Sequence, residues 1–357
     1  MIAILRKTLL VSAIAALAAS HAYAQAPDDL PPYKPEQKVS GVIRNFGIKM
    51  EGMVKLWEEG FRKYHPDVRF EDNLNNASAV AGLFSGVADV GTSGREPVLT
   101  EYFSFYETFH YLPLEITVAS GTYDVKGGSY GLVVFVNKNN PITGLTMKQL
   151  DGIFGEQRTG GYSGLKWMPQ AARGPERNIR TWGQLRLTGE WKDKSINTYG
   201  YALTGMSVFF QQKVFNGGEK WNPNYREYIE SGTKQVGDES LTINRMLTDL
   251  SRDKYGIAWT GIWQAKGFPQ LKPIALAADE GGPYVAPTRE NFQSRAYPLT
   301  RSVYLFINRA PGQPVDAKVK EYLRYVLSRE GQEAVATNNV YFPLPLSVVR
   351  EQLKKLE

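Results

Sequence analysis

From residue 38 onward the chain alternates short β-branched runs with segments of helical spacing. Residues 38–45 favour a strand, and Met50, Val54, Trp57 and Phe61 then recur on one face of a helix. Such alternation requires crossover connections, which give a mainly parallel sheet covered by helices. The 34 Gly and 20 Pro residues follow no repeat, which excludes collagen-like and coiled-coil architectures. The pattern therefore predicts an α/β fold.

Further elements follow the same pattern. Ser78 is placed to cap a short helix, and another helix is expected to begin near Thr146. Residues 256–260 indicate a strand. Residues 317–327 and 329–336 indicate two helices that pack against the first part of the chain.

The length of 357 residues suggests two units, at about 150 residues per domain. Residues 130–136 and 303–307 are the two most strand-like runs, and we expect them to pair as neighbours. The chain between them would then form an inserted lobe, with a ligand cleft at the junction. We expect lobe 1 at residues 38–138 and 295–357 and lobe 2 at residues 139–294.

The N-terminal segment has the pattern of a secretory signal peptide. Arg6 and Lys7 precede an apolar run at residues 8–19, and small residues follow up to Ala24. The run is shorter than the about 20 residues that cross a bilayer, so we expect cleavage and export to the periplasm rather than a membrane anchor. Residues 25–37, which contain four prolines, are expected to form a flexible leader.

The composition and the lack of motifs exclude or disfavour several kinds of catalytic and cofactor site. The chain has no cysteine, which excludes thiol nucleophiles, iron–sulfur clusters and disulfides. Its three histidines, His21, His65 and His110, have no acid and nucleophile at informative spacing, and common cofactor and hydrolase motifs are absent. Without residues 1–24 the chain has 40 basic and 36 acidic residues, which are dispersed. We therefore expect no catalytic site, no cofactor, no metal and no nucleic-acid partner.

A strand, a short polar loop and a helix start recur at residues 46–50, 75–78 and 204–207. Each helix start leaves main-chain N–H groups free, and the helix dipole there favours negative charge. Three such loops that converge would form a cradle for an anion. The alternative, three ordinary helix starts, stays open at this point.

Four stretches of sequence match one known family. They are residues 57–66 (W-x-x-x-F-x-x-x-x-P), 83–91 (L-F-S-G-V-A-D-V-G), 137–154 (containing N-N-P-I-T-G-L-T) and 297–307 (Y-P-L-T-R-S-V-Y-L-F-I). From about Val42 to its C-terminal region the chain thus resembles the PstS-like phosphate receptors of ABC importers, a group of type II solute-binding proteins. The resemblance implies two lobes, each a mixed sheet flanked by helices, which close over an anion in an inter-lobe cleft.

The resemblance also implies which loops of this chain bind the ligand. They map onto Ile48 and Lys49, onto Asn76 and Ser78, onto Ser93, Gly94 and Arg95, and onto Tyr201, Thr204, Gly205 and Met206. Their side chains depart from the family pattern, because the arginine of the fourth loop and the aspartate of the third loop are missing. Loss of the arginine removes a bidentate donor, and loss of the aspartate removes the acceptor for a protonated oxyanion. Lys49 and Arg95 would restore positive charge unless they point into solvent.

The leading hypothesis is a monomeric periplasmic receptor that binds phosphate or another small oxyanion and delivers it to an ABC permease in the inner membrane. It predicts a protein with no stable membrane insertion. The alternative keeps the fold for an envelope interaction or sensor protein with a degenerate or different ligand site. A secreted phosphatase or other hydrolase is the third hypothesis, and the motif search gives it no support.

Overall fold

The computed structural model describes residues 29–202, 204–229 and 239–357. The predicted signal peptide, residues 1–24, lies outside the described residues. Within them, none of the helices combines the length and the apolar sequence that a membrane span requires.

The described residues form fourteen strands and ten α-helices, besides short 3-10 turns. The strands are β1 (Gly41–Gly47), β2 (Val68–Asn73), β3 (Val90–Ser93), β4 (Leu114–Ser120), β5 (Val133–Asn137), β6 (Gly144–Thr146), β7 (Gly161–Ser163), β8 (Lys166–Met168), β9 (Asn197–Tyr201), β10 (Arg226–Tyr228), β11 (Gly256–Thr260), β12 (Leu271–Pro273), β13 (Ala275–Ala277) and β14 (Ser302–Ile307). The helices are α1 (Met53–Arg62), α2 (Ala79–Phe84), α3 (Leu99–Phe109), α4 (Met147–Phe154), α5 (Thr204–Val214), α6 (Glu239–Arg252), α7 (Arg289–Gln293), α8 (Ala317–Val326), α9 (Arg329–Asn338) and α10 (Leu346–Lys354).

Two mixed sheets organise the molecule. Over the described residues each has five strands, in the orders β2-β1-β3-β14-β4 and β10-β9-β11-β5-β12. In each sheet the first three strands are parallel, and the fourth runs antiparallel to both of its neighbours. We call the part built on the first sheet lobe 1 and the part built on the second sheet lobe 2. The predicted α/β class with two mixed sheets flanked by helices is confirmed.

The pairing predicted between residues 130–136 and 303–307 is wrong. β14 lies between β3 and β4 of lobe 1, with Tyr304 opposite Ser93. β5 lies between β11 and β12 of lobe 2, with Val136 opposite Ile257. Both strands are buried at every position, so their apolar sequences indicated burial but carried no information about partners. The chain therefore enters the second sheet at β5, before the boundary expected at residue 138.

Local signals place the starts of α2 and α4 correctly. Ser78 caps α2 by accepting the N–H of Ala81 at 3.2 Å. Thr146 and Gln149 form a capping box at the start of α4, with bonds of 3.1 and 2.9 Å. The first helix begins later than its apolar spacing predicts, because Met50 and Glu51 have φ of 49° and 52°. These left-handed residues interrupt the helix, and α1 starts at Met53.

Lobe 1 buries both faces of its sheet. Alternate residues of β14 point to opposite faces, so Val303 and Leu305 join one core while Tyr304 and Phe306 join the other. α1, α8 and α9 cover the first face, and α2 and α3 cover the second. Trp57 of α1 is fully buried, and its Nε1 donates to a carbonyl of α9 at 2.9 Å. Burial of each such aromatic side chain contributes about 1.5–3 kcal/mol to the free energy of unfolding.

The described part of the predicted leader differs from the expected flexible segment. Leu30 and Tyr33 are buried in the core of lobe 1. The hydroxyl of Tyr33 donates to Glu321 at 2.6 Å and lies 2.7 Å from Nε2 of His65. These buried partners are distant in sequence, so the proline content alone did not reveal that residues 29–37 pack against the lobe.

Candidate functional site

The first three predicted ligand loops lie against one another in lobe 1. Ile48 forms an isolated antiparallel bridge with Asn75, and the N–H of Asn76 donates to the carbonyl of Gly47 at 2.8 Å. A Cβ at Gly94, in the third loop, would lie 3.2 Å from Ile48 Cδ1. The loops follow β1, β2 and β3, which are parallel neighbours, so they meet at the carboxyl edge of one sheet.

The fourth loop comes from lobe 2 and reaches the same position. A Cβ at Gly205 would lie 3.4 Å from Cβ of Arg95 and 3.2 Å from Nη2 of Arg301. The carbonyl of Gly205 accepts a hydrogen bond from Nη2 of Arg301 at 2.7 Å, and Sδ of Met206 lies 3.1 Å from Nη1. The four loops therefore converge between the lobes. Their role in holding a ligand stays a prediction.

The first loop is held by its main chain. The N–H of Ile48 donates to the carbonyl of Thr92 at 3.1 Å, and the hydroxyl of Thr92 donates to the carbonyl of Ile48 at 2.7 Å. Lys49 is exposed, whereas Met50 is buried in a left-handed conformation. A left-handed non-glycine residue costs about 1–2 kcal/mol, so the surrounding contacts must hold this turn.

In the second loop the two predicted side chains make local hydrogen bonds. Nδ2 of Asn76 donates to the carbonyl and the Oδ1 of Asn73 at 3.0 and 2.8 Å. Ser78 acts as an N-cap, a role that contributes about 1 kcal/mol to a helix. Ser78 thus makes the cap contact of an ordinary helix start, and it also hydrogen-bonds to Glu101.

The third loop contains a neutralised arginine. The hydroxyl of Ser93 donates to the carbonyl of Arg95 at 2.8 Å. The guanidinium of Arg95 donates two bonds of 2.7 Å to Glu101 and one of 2.9 Å to the carbonyl of Ala77. Burial by itself would raise the pKa of Glu101, but hydrogen bonds from Arg95 and Ser78 lower it overall. The charge of Arg95 is therefore balanced within lobe 1.

The fourth loop begins in the interior of lobe 2. Tyr201 is buried, with its hydroxyl 3.2 Å from that of Tyr130 and its ring 4.8 Å from Trp259. Its carbonyl accepts a hydrogen bond from the hydroxyl of Ser207 at 3.0 Å. Tyr201 is thus part of the lobe 2 core, and the side chain of Thr204 lies outside the described residues.

Sequence reasoning missed the buried charge at the centre of these loops, Arg301. Its side chain is 2% exposed and lies 3.4 Å from Glu96, whose other oxygen accepts a bond of 2.8 Å from the hydroxyl of Tyr304. Nε of Arg301 has no hydrogen-bond partner among the described residues. The available signal was an arginine directly before the apolar strand β14, but Glu96 is 205 positions away, so spacing could not pair them.

The two guanidiniums at the loops are each balanced by one carboxylate. Arg95 is paired with Glu101, and Arg301 is paired with Glu96. These four side chains therefore add no net charge to the position where the loops meet. An anion bound there would depend on main-chain N–H groups and on donors left over from the ion pairs.

A cavity of about 590 Å³ lies between the lobes beside Glu96. Lobe 1 also contributes Tyr102 and Glu115 to its wall, and lobe 2 contributes Tyr162 and Lys213. Burial raises the pKa of Glu115, and the nearby carboxylate of Glu96 adds to the effect. Glu96 is already paired with Arg301, and Lys213 lines the cavity together with Glu115, so the charges of this lining largely balance.

The two histidines in the described residues play no part in the loops. His65 is fully buried in lobe 1, and its Nδ1 accepts the N–H of Val39 at 3.3 Å. His110 is exposed and ends α3 in a left-handed conformation. Across the residues the structure describes, no group of three or more His, Asp or Glu side chains is placed to hold a metal ion.

Comparison with known proteins identifies similar chains. A phosphate-binding protein PstS of Pseudomonas aeruginosa is 29% identical over 345 residues, which cover 96% of this chain and 95% of the relative. Among solved structures, an ABC-type phosphate transport receptor from Vibrio cholerae has a TM-score of 0.50 at 16% identity and covers 85% of this chain and 100% of its own.

PstS from Borrelia burgdorferi has a TM-score of 0.51 at 14% identity and covers 87% of this chain and 100% of its own. Both structures share the fold of two mixed sheets, and the resemblance to PstS-like receptors that the sequence indicated is confirmed. A family model described as a PBP superfamily domain matches residues 50–330. This chain belongs to the PBP superfamily.

Proposed function

We propose that the chain is an exported, non-enzymatic receptor that captures a small oxyanion, in the first place phosphate, between its two lobes. The convergence of three loops from lobe 1 and one loop from lobe 2 carries the proposal. Ligands bind at domain interfaces and beyond the carboxyl ends of parallel strands. The P. aeruginosa relative, which is named as a phosphate-binding protein, supports phosphate as the anion.

Donors that remain at the loops support an anion as the ligand. α5 begins at the fourth loop, and the first N–H groups of a helix have no partner inside it. The helix dipole favours negative charge at that end. Nε of Arg301 adds a buried charged donor without a hydrogen-bond partner in the described residues. Charge-assisted hydrogen bonds are about twice as strong as neutral ones, so this donor would contribute most.

Lobe closure would couple binding to transport. The bond between Arg301 and the carbonyl of Gly205 already joins the lobes, and a ligand that contacts loops of both lobes favours the closed state further. The closed receptor would then be recognised by an ABC permease in the inner membrane. The signal-peptide pattern of residues 1–24 supports a periplasmic location for this monomeric receptor.

Phosphate titration by calorimetry tests the proposal, with Gly205→Val as the critical variant. A side chain at Gly205 would enter the space next to Arg301 and Arg95, so we expect phosphate affinity to fall at least about tenfold. Gly267→Val is the matched control, because no atom lies within 4 Å of that Cβ position. The proposal fails if the wild-type chain shows no saturable binding of phosphate, sulfate or arsenate, or if both variants bind equally well.

One observation favours a second candidate, a receptor or sensor of the same fold with a different ligand. The arginines at the loops are already ion-paired, and the adjoining cavity is lined by Glu96, which is one of those partners, together with Glu115 and Lys213. A lining whose charges largely balance would suit a neutral polar solute. A rise in melting temperature with neutral polar solutes, together with no response to oxyanions, would establish this candidate in place of the first.

A further inference from the structure

Lobe 2 contains a second concentration of charge, away from the ligand loops. Asp151 receives two hydrogen bonds of 2.7 Å from the guanidinium of Arg158. Nε of Arg173 lies 3.2 Å from the same carboxylate. The side chains of all three residues are less than 10% exposed. Two buried guanidiniums therefore share one buried carboxylate.

The neighbouring residues do not supply the missing negative charge. Nη1 of Arg173 donates to Oδ1 of Asn178 at 2.7 Å, which is a neutral group. Glu156 is engaged by Nδ2 of Asn178 at 2.6 Å and by Arg180 at 3.0 Å. Nη2 of Arg173 has no hydrogen-bond partner in the described part of the chain. Burial lowers the pKa of Arg173, and the charges of Arg158 and Arg180 lower it further, against the opposing effects of Asp151 and Glu156.

A cavity of about 310 Å³ lies beside Arg173. Lys148 and Arg177 also line it, with side chains 66% and 65% exposed, and so do the carboxylates of Asp151 and Glu280. The three cations of the lining outnumber its two carboxylates. Lys148 is paired with Glu280 at 2.8 Å, and Arg177 lies 3.8 Å from Glu176. Exposed pairs of this kind are weak, so both cations are available to a ligand. All the lining residues belong to lobe 2.

We propose that this cavity is a second anion site, which binds a small oxyanion or the carboxylate of a small organic acid. Arg158 and Arg173 share the single negative charge of Asp151, and the anion supplies the second one. Lys148 and Arg177 bind the anion directly, and the buried guanidinium of Arg173 adds electrostatic attraction. A buried charge without a partner is costly, so an anion at this position stabilises lobe 2 as well as being bound by it.

Sulfate titration of the full chain at constant ionic strength, followed by calorimetry, tests the proposal. In a Gly205→Val background binding at the ligand loops is weakened, so a saturable event that keeps its wild-type affinity reports the cavity. We expect Lys148→Gln with Arg177→Gln to weaken this event about tenfold or more. The control combines Lys192→Gln with Arg245→Gln, which removes the same two charges from exposed positions of lobe 2 outside the cavity lining. It should leave sulfate affinity unchanged.

Acetate and benzoate in place of sulfate distinguish a carboxylate from an inorganic oxyanion, and saturable binding of either class supports the site. No saturable binding of any of these anions, or equal weakening in the two double variants, overturns the proposal. The two proposals fail separately: no effect of Gly205→Val on anion binding counts against the loops, and no effect of Lys148→Gln with Arg177→Gln counts against the cavity.

Discussion

Replacement of Arg301 by methionine tests whether one buried guanidinium joins the two lobes. At 3.4 Å from Glu96, and with an effective dielectric constant of about 20, the attraction is about 5 kcal/mol. The hydrogen bond to the carbonyl of Gly205 adds about 1.5–3 kcal/mol. Desolvation of the two charges offsets part of this sum. Loss of one partner of a buried pair costs about 3–5 kcal/mol, so we expect Arg301→Met to lower the free energy of unfolding by about 4 kcal/mol.

Urea unfolding followed by tryptophan fluorescence measures this change, and small-angle scattering measures lobe opening. Much of the cost comes from the carboxylate of Glu96, which the single substitution leaves buried and unpaired. The double variant Arg301→Met with Glu96→Gln should therefore be more stable than Arg301→Met alone. A single variant within about 1 kcal/mol of the wild-type chain, or a double variant no more stable than the single one, would refute the reasoning.

Two further substitutions test the folded state. Burial raises the pKa of Glu58 to about 7 from an ordinary value of 4.5. The stability contributed by its neutral form is therefore complete below pH 4.5 and is lost as the pH rises through about 7. Glu58→Gln should remove up to about 3 kcal/mol of this pH dependence, and an unchanged pH profile of the unfolding free energy would contradict the assignment. A Cβ at Gly94 would lie 1.9 Å from Oγ of Ser129, so Gly94→Ala should destabilise the fold by about 1–3 kcal/mol. The control Gly267→Ala should change stability by less than about 0.5 kcal/mol, and equal melting temperatures for the two variants would show that the contact relaxes.

Elements with local signals could be predicted closely from the sequence. The strand expected at residues 256–260 is β11, and the caps at Ser78 and Thr146 start α2 and α4. These features depend on residues within a few positions of one another. The pairing of β14 could not be predicted in this way, because any buried strand of apolar residues suits several neighbours.

The same difference between local and long-range information applies to the candidate site. The strand–loop–helix pattern indicated three of its loops, and in the structure they lie together with the loop at residues 93–95 that the family resemblance implied. Their role in binding a ligand stays a prediction. The sequence did not indicate which charged side chains at these loops have a neutralising partner. Arg95 is neutralised by Glu101 on the next helix, and Lys49 is exposed. A formal charge in the sequence becomes a free charge only when no carboxylate lies within reach in the fold.

The sequence by itself indicated the class of fold, many of its strands and helices, and three polar loops at helix starts, because periodicity, capping and turn chemistry act over a few residues. The tertiary structure alone decided which side chains neutralise each other. Arg301 and Glu96 are 205 positions apart, and Arg158 and Arg173 come to share Asp151 only when their loops fold together. Electrostatic energy depends on distance in space and on burial, and neither quantity can be read from separation along the chain.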